Sequence, residues 1–297
     1  MLQLRDEAGT AAELEGLSVA EIVDAAGVRG APSIFRRGIE AVARVPSRRL
    51  GKILARFDRR IAEEGLEVAA REVLVALGAS LEISGTVPKS GAVLVVTNHP
   101  GAYDAFATMA SVGRDDVAFV ASERAFLRAM PHVSQHLVFV TDSRTTGSAT
   151  GRAAGLRRAL SWLEAGRTLV QFGAGAIEPD ARFLRDGEDV LGTWLAGTGV
   201  LASRAAALGA VIVPALVSGV HSRRAKSLAL VRWAERRGIT TIAPLIQATL
   251  PGFRDVAVSV RFGAPIDRAA LAAASGNAGR TALLRSSVAA LADRSRV

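Results

Sequence analysis

Short apolar runs rich in β-branched residues alternate along the chain with longer stretches of helical periodicity. The clearest run is residues 91–97, Gly-Ala-Val-Leu-Val-Val-Thr, whose unbroken apolar character is that of a strand buried on both faces. Residues 117–121, 138–141, 168–172 and 211–217 repeat the pattern. Helical spacing is read at 63–78, ending at Gly78, and at 106–112, 151–165, 191–208 and 228–237. A C-terminal helical region at 267–294 is interrupted at Gly276. The alternation predicts the α/β class, with a mixed, largely buried sheet flanked by helices.

Ahead of this pattern stands a different one. Phe35, Ile39, Val42, Leu50, Ile53, Leu54, Phe57 and Ile61 recur at steps of three and four, which is helical spacing. Between them lie nine basic residues: Arg36, Arg37, Arg44, Arg48, Arg49, Lys52, Arg56, Arg59 and Arg60. Only Glu40 and Asp58 oppose them. Pro46 predicts a break into two helical pieces. The segment reads either as an ordinary helix with arginines in water or as a basic amphipathic helix lying on an anionic membrane. The resulting division is a polar N-terminal segment (1–33), a basic amphipathic helical region (34–80) and an α/β domain (81–297).

Composition narrows the chemistry. The chain has 297 residues, enough for a sizeable core, and no cysteine, which excludes disulfides, thiolate catalysis and Cys-based zinc sites. The first 32 residues carry six acidic side chains (Asp6, Glu7, Glu13, Glu15, Glu21, Asp24) and no apolar core of a signal peptide. Residues 205–222 form the longest uncharged run, but Gly209, Pro214 and Gly219 divide it into a helix end, a strand and a loop. A net charge of +9 admits nucleic acid as a partner, yet one tyrosine and three tryptophans give little for bases to stack on.

The candidate chemistry sits where the 91–97 run ends. His99 and Asp104 are five positions apart in Asn98-His99-Pro100-Gly101-Ala102-Tyr103-Asp104. In one continuous helix they would diverge, since five residues rotate about 140° at about 3.6 residues per turn. With Pro100 at a first helical position and His99 outside, the imidazole folds back onto the carboxylate and becomes a candidate general base. His132, His136 and His221 have no acidic partner at metal-ligand spacing, so a structural role is expected and no metal site is implied. The glycines of residues 173–178 fit a dinucleotide fingerprint poorly, because Glu178 replaces the third one.

The His99–Asp104 segment resembles the His-x4-Asp signature of the glycerolipid and lysophospholipid acyltransferase superfamily. Leu81-Glu82-Ile83-Ser84-Gly85 is similar to the short strand ahead of that motif, and Asn98 stands where the family often has asparagine. Phe139-Val140-Thr141-Asp142-Ser143-Arg144 resembles the second block, and Thr168-Leu169-Val170-Gln171-Phe172-Gly173-Ala174-Gly175 holds the place of the third. Ala210-Val211-Ile212-Val213-Pro214-Ala215 resembles the fourth, and residues 258–266 the closing strand. The third block departs from the family's Pro-Glu-Gly-Thr-Arg: Ala174 and Ile177 replace the usual glutamate and arginine, and Glu178 follows four positions late. Gly101 stands where many members have serine.

The resemblance implies an O-acyltransferase at the cytoplasmic face of a membrane, bound peripherally to an anionic surface. It implies an acyl thioester donor (acyl-CoA or acyl-carrier protein), a lipid acceptor and no cofactor. His99 is then the general base and Asp104 its partner. Arg144, Gly173, Gly175 and Glu178 are the expected substrate contacts, with the block's amides facing the oxyanion. Arg223, Arg224 and Lys226 are candidate phosphate ligands. With Ile177 in place of a guanidinium, an acceptor other than lysophosphatidate is expected. A non-catalytic lipid-binding relative and a nucleic-acid-binding protein are the alternatives; no nucleic acid is expected as partner.

Overall fold

The computed structural model describes residues 7–25, 33–101, 103–140, 149–184, 188–237 and 242–292. Along the chain run helices α1 (Glu7–Ala25), α2 (Ser33–Glu64) and α3 (Leu66–Ala76), then strands β1 (Ala79–Ser84) and β2 (Val93–Thr97). Helix α4 (Asp104–Met109), strand β3 (Val117–Ser122), helices α5 (Ala125–Arg128) and α6 (Pro131–Gln135) and strand β4 (Leu137–Val140) follow. Next come α7 (Ala149–Glu164), β5 (Thr168–Phe172), α8 (Ala196–Ala207) and β6 (Val211–Ser218). The chain continues through α9 (Arg223–Ser227), α10 (Ala229–Glu235), α11 (Ile242–Thr249), β7 (Val256–Phe262), α12 (Arg268–Ala273) and α13 (Gly276–Ala289). These elements form two compact units, neither contiguous in sequence.

One unit comprises Met1–Ser80, Arg124–Ser134 and His221–Ala257 and is helical. Pro46 lies inside one uninterrupted helix, so the expected break does not occur there. A proline removes one backbone donor and costs about 3 kcal/mol in a helix interior. The packing of α2 along α1 and α3 is extensive enough to carry the helix through. The break falls instead at Gly65, whose φ of 87° suits glycine and turns the chain from α2 into α3. Helix α1 occupies the segment read only as polar. Its buried side chains, among those described, are Thr10, Leu14, Ser18 and Val23, so half of the stripe is polar. A Cβ on Gly51 would lie 2.6 Å from the carbonyl oxygen of Ala11, so the two helices approach backbone to backbone. The apolar face of α2 points inward through Leu54, Phe57 and Ile61, while Arg44, Arg48 and Lys52 are exposed. The side chains of Phe35, Arg36, Ile39 and Val42 lie outside the description. Arg56, Arg59 and Arg60 are ion-paired: Arg60 to Glu72 at 2.7 Å and Glu63 at 2.9 Å, Arg59 to Glu7 at 3.0 Å, and Arg56 to Glu72 at 3.7 Å. No described helix is long and apolar enough to cross a membrane.

The other unit comprises Leu81–Glu123, Gln135–Val220 and Val258–Val297 and holds the body of the sheet. The seven-stranded sheet has the order β1-β7-β6-β2-β5-β3-β4. Strands β6, β2, β5, β3 and β4 run parallel, and β7 is antiparallel to β6, which makes the sheet mixed as expected. Strand β2 is buried at every position. Leu94, Val96, Leu169, Ile212 and Leu216 meet Leu163, Leu201, Ala202, Leu284 and Val288 of α7, α8 and α13 on one face. In the β2–β5 register Thr97 lies opposite Phe172, and in the β2–β6 register it lies opposite Ala215. The carboxyl ends of three adjacent parallel strands therefore open at one edge, the favoured place for a ligand site in such a sheet.

Candidate active site

The loop leaving β2 is held open by hydrogen bonds that continue the sheet after its strands part. Asn98 is fully buried; its Nδ2 donates to the Val217 carbonyl at 2.9 Å, and its Oδ1 accepts from the Val217 amide at 2.8 Å. This side chain reproduces a backbone pair with β6, so the residue that follows is placed rigidly. Gly101, at φ 81°, turns the chain, and α4 begins only at Asp104. Pro100 is thus outside the helix, contrary to the expected first-turn position. A proline there still restricts the loop that must double back.

The turn brings His99 and Asp104 together. His99 Nδ1 lies 2.7 Å from Asp104 Oδ2, and the same oxygen accepts from the Gly101 amide at 2.8 Å. Asp104 is 1% exposed. A buried carboxylate at Nδ1 selects the Nδ1–H tautomer and leaves the Nε2 lone pair for a substrate. The His99 side chain keeps 30% exposure, so the ring reaches the surface. Phe172, at the end of β5, lies with its ring centroid 4.5 Å from that of the imidazole at a 35° tilt. Burial opposes the charged imidazolium, but the charge and hydrogen bond of Asp104, backed by the charge of Glu178, outweigh it and raise the His99 pKa above its ordinary value.

Glu178 joins three segments. Oε2 accepts from the His99 amide at 2.9 Å, while Oε1 accepts from the Gly192 amide at 2.8 Å and from Trp194 Nε1 at 3.0 Å. The Glu178 amide donates to the His99 carbonyl at 2.7 Å, closing a reciprocal pair. With 5% exposure, this carboxylate faces protein donors rather than the substrate contact expected of it. Burial raises its pKa against the opposing effect of the His99, Trp194 and Gly192 donors.

The expected glycine contacts are also engaged within the chain. The Gly173 amide donates to the Thr97 carbonyl at 2.9 Å, and the Gly175 amide to the Phe172 carbonyl at 3.3 Å. Neither amide has its hydrogen left for an oxyanion. Both glycines are also closely packed. A Cβ on Gly173 would lie 2.3 Å from Trp194 Cδ2, and one on Gly175 would lie 2.7 Å from Leu195 Cδ1. Arg144 and its block from Thr141 onward lie outside the described residues. Arg223 and Arg224 are exposed on the helical unit, and Lys226 is paired to Glu235 at 2.5 Å.

Sequence reading missed Phe172, Gly192, Trp194 and Leu195 as parts of this region. Phe172 was visible in the third block, two positions before Ala174, without a role. Trp194 is distant in sequence and carried no local signal. Reading also missed a second pair: Asp58 accepts from the His132 and Val133 amides at 2.8 and 2.9 Å, and its other oxygen meets His132 Nδ1 at 2.9 Å. Asp58 thereby caps α6, a structural use of histidine and carboxylate.

No family model matches the chain, and no curated protein matches it. Among solved structures, the chain is similar to the 1-acyl-sn-glycerophosphate (LPA) acyltransferase PlsC from Thermotoga maritima. The two share 14% identity over 98% of this chain and 96% of that one, with a TM-score of 0.47.

Proposed function

We propose that the protein is an O-acyltransferase that moves a fatty acyl group from acyl-CoA or acyl-carrier protein to a hydroxyl of a lipid or lipid precursor. The observation that carries this reading is the His99–Asp104 pair, with Nδ1 engaged by a buried carboxylate and an imidazole that keeps 30% exposure. His99 Nε2 takes the proton of the acceptor hydroxyl as its oxygen attacks the thioester carbonyl. The tetrahedral intermediate collapses with cleavage of the C–S bond, and the imidazolium returns the proton to the departing thiolate. The products are an ester and a free thiol, with no acyl-enzyme. Asp104 stabilises the imidazolium formed midway. The ordered resemblance of five sequence blocks around this pair supports the same chemistry.

The peripheral site of action rests on α2. Its exposed Arg44, Arg48 and Lys52 suit an anionic lipid surface at the cytoplasmic face of a membrane.

The decisive assay measures thiol release from acyl-CoA with a panel of hydroxyl-bearing lipids. Replacing a general base lowers rates by about 10²–10⁴, so His99→Ala is expected to lose that much while remaining folded, with a lowered melting temperature because the buried Asp104 loses its partner. Near-normal turnover by the folded variant refutes the assignment. Lipid binding without thiol release favours the non-catalytic relative.

A further inference from the structure

Two large apolar side chains stand exposed on the segments that pack against the turn after His99 and against the loop carrying Glu178. Ile177 is 55% exposed and Leu195 is 46% exposed. Single exposed aliphatics are ordinary on protein surfaces, so exposure alone assigns them nothing. Their placement is what matters. Ile177 lies over Gly101, two residues beyond His99: a Cβ there would stand 3.3 Å from Ile177 Cγ2. Leu195 lies over Gly175 in the loop that carries Glu178, itself hydrogen-bonded to the His99 amide. Phe172 flanks the imidazole ring at 4.5 Å. Both glycines have positive φ, so the two aliphatic chains cover backbone turns that side chains rarely adopt.

The residues next to the two aliphatics are anchored. Neighbouring Glu178 and Trp194 are buried and bonded to one another, and each follows or precedes one of the exposed aliphatics by one residue. Ile177 and Leu195 are thereby held outward from anchored neighbours. A charged group brought against them sheds water without gaining a partner, whereas an apolar group gains by covering them.

We propose that Ile177 and Leu195 form an apolar lip that selects the acceptor, favouring a hydroxyl whose adjoining portion is uncharged. The proposal rests on the acyl-transfer reading of His99 and names the acceptor class for that site.

The test uses the full-length protein, one acyl-CoA at saturation and two matched acceptors, a long-chain monoacylglycerol and its phosphate monoester. Specificity constants and equilibrium binding of each acceptor are measured for wild type, Ile177→Arg and Ile177→Ser. Wild type is expected to prefer the uncharged acceptor by about tenfold or more, the scale of placing a charge in an apolar site without a partner. Ile177→Ser is expected to weaken that preference, and Ile177→Arg to reverse it, with the KM for acyl-CoA unchanged. A wild-type preference for the phosphate monoester overturns the proposal. So does an effect of Ile177→Arg confined to the acyl-CoA KM, which places the lip on the donor. If no thiol is released with either acceptor but binding follows the expected order, the acyl-transfer reading fails and the lip stands. Transfer, or binding, that ignores the acceptor's charge removes the lip.

Discussion

Because Asp104 holds Nδ1, the charge state of His99 is set by a partner that favours the imidazolium. The raised pKa means that the neutral, proton-accepting form becomes dominant only above the ordinary histidine range near about 6.5. Transfer is therefore expected to rise with pH and to reach its plateau later than an unpaired histidine would allow. In Asp104→Asn the Asp104 charge is gone and burial is opposed only by the smaller effect of Glu178, so the midpoint of the pH–rate curve moves down even as the plateau rate falls. An unmoved midpoint counts against the pairing. The sign for stability is the reverse: the pair's contribution is complete below the unfolded histidine pKa and is lost as pH rises through the raised one. Glu178 is expected to act on His99 without touching substrate. Glu178→Gln turns an amide donor toward at least one of the His99, Gly192 or Trp194 donors, and a buried unmatched donor costs about 1–3 kcal/mol. The expected signature is a fall in kcat with little change in KM, together with a downward shift of the pH midpoint. A change confined to KM returns the carboxylate to a substrate contact.

At the scale of elements, the loop after β5 is shaped by what replaces the side chains it lacks. Trp194 packs on the Gly173 backbone and bonds the carboxylate of Glu178 with its ring N–H. A methyl at residue 173 displaces a rigid indole, not the end of a flexible chain. Overpacking of this kind costs about 1–3 kcal/mol, and here it also moves a hydrogen-bond donor. Gly173→Ala is expected to lower the midpoint of chemical denaturation by a corresponding amount and to reduce activity. Wild-type stability in that variant rules out the packing described. Gly175→Ala is expected to be milder, because the clashing atom is the end of a leucine side chain, although φ of 60° still disfavours alanine.

At the scale of the whole molecule, charge is unevenly distributed and partly neutralised in the fold. Of the basic run on α2, Arg56, Arg59 and Arg60 are paired to carboxylates, Arg56 and Arg59 while still exposed, and Arg44, Arg48 and Lys52 are exposed as well. Each basic side chain near an anionic surface contributes about 1 kcal/mol. The protein is expected to sediment with vesicles containing phosphatidylserine, and much less with neutral ones. Binding is expected to weaken as salt shortens the Debye length below about 8–10 Å. Replacing Arg44, Arg48 and Lys52 with glutamine is expected to reduce sedimentation further than the same change at Arg56, Arg59 and Arg60. Equal losses from the two sets place the attachment elsewhere.

Much of the fold was legible because its signals are local. A strand buried on both faces, such as β2, announces itself in five consecutive apolar residues, and the closeness of His99 and Asp104 follows from a short loop. Where the signal was weak, the reading failed for physical reasons. Helix α1 hides its buried stripe in Thr10 and Ser18, and α2 runs through Pro46 because its neighbours support it. Other features depend on residues far apart in sequence that tertiary contact alone brings together. Nothing local to Glu178 says that its carboxylate faces the His99, Gly192 and Trp194 donors, or that the Gly173 amide is taken by Thr97. By itself the sequence determined the α/β class, the strand leading into His99 and the identity of its carboxylate partner. Tertiary structure decided which polar groups are left for a substrate, because burial and hydrogen-bond partners are properties of neighbours in space.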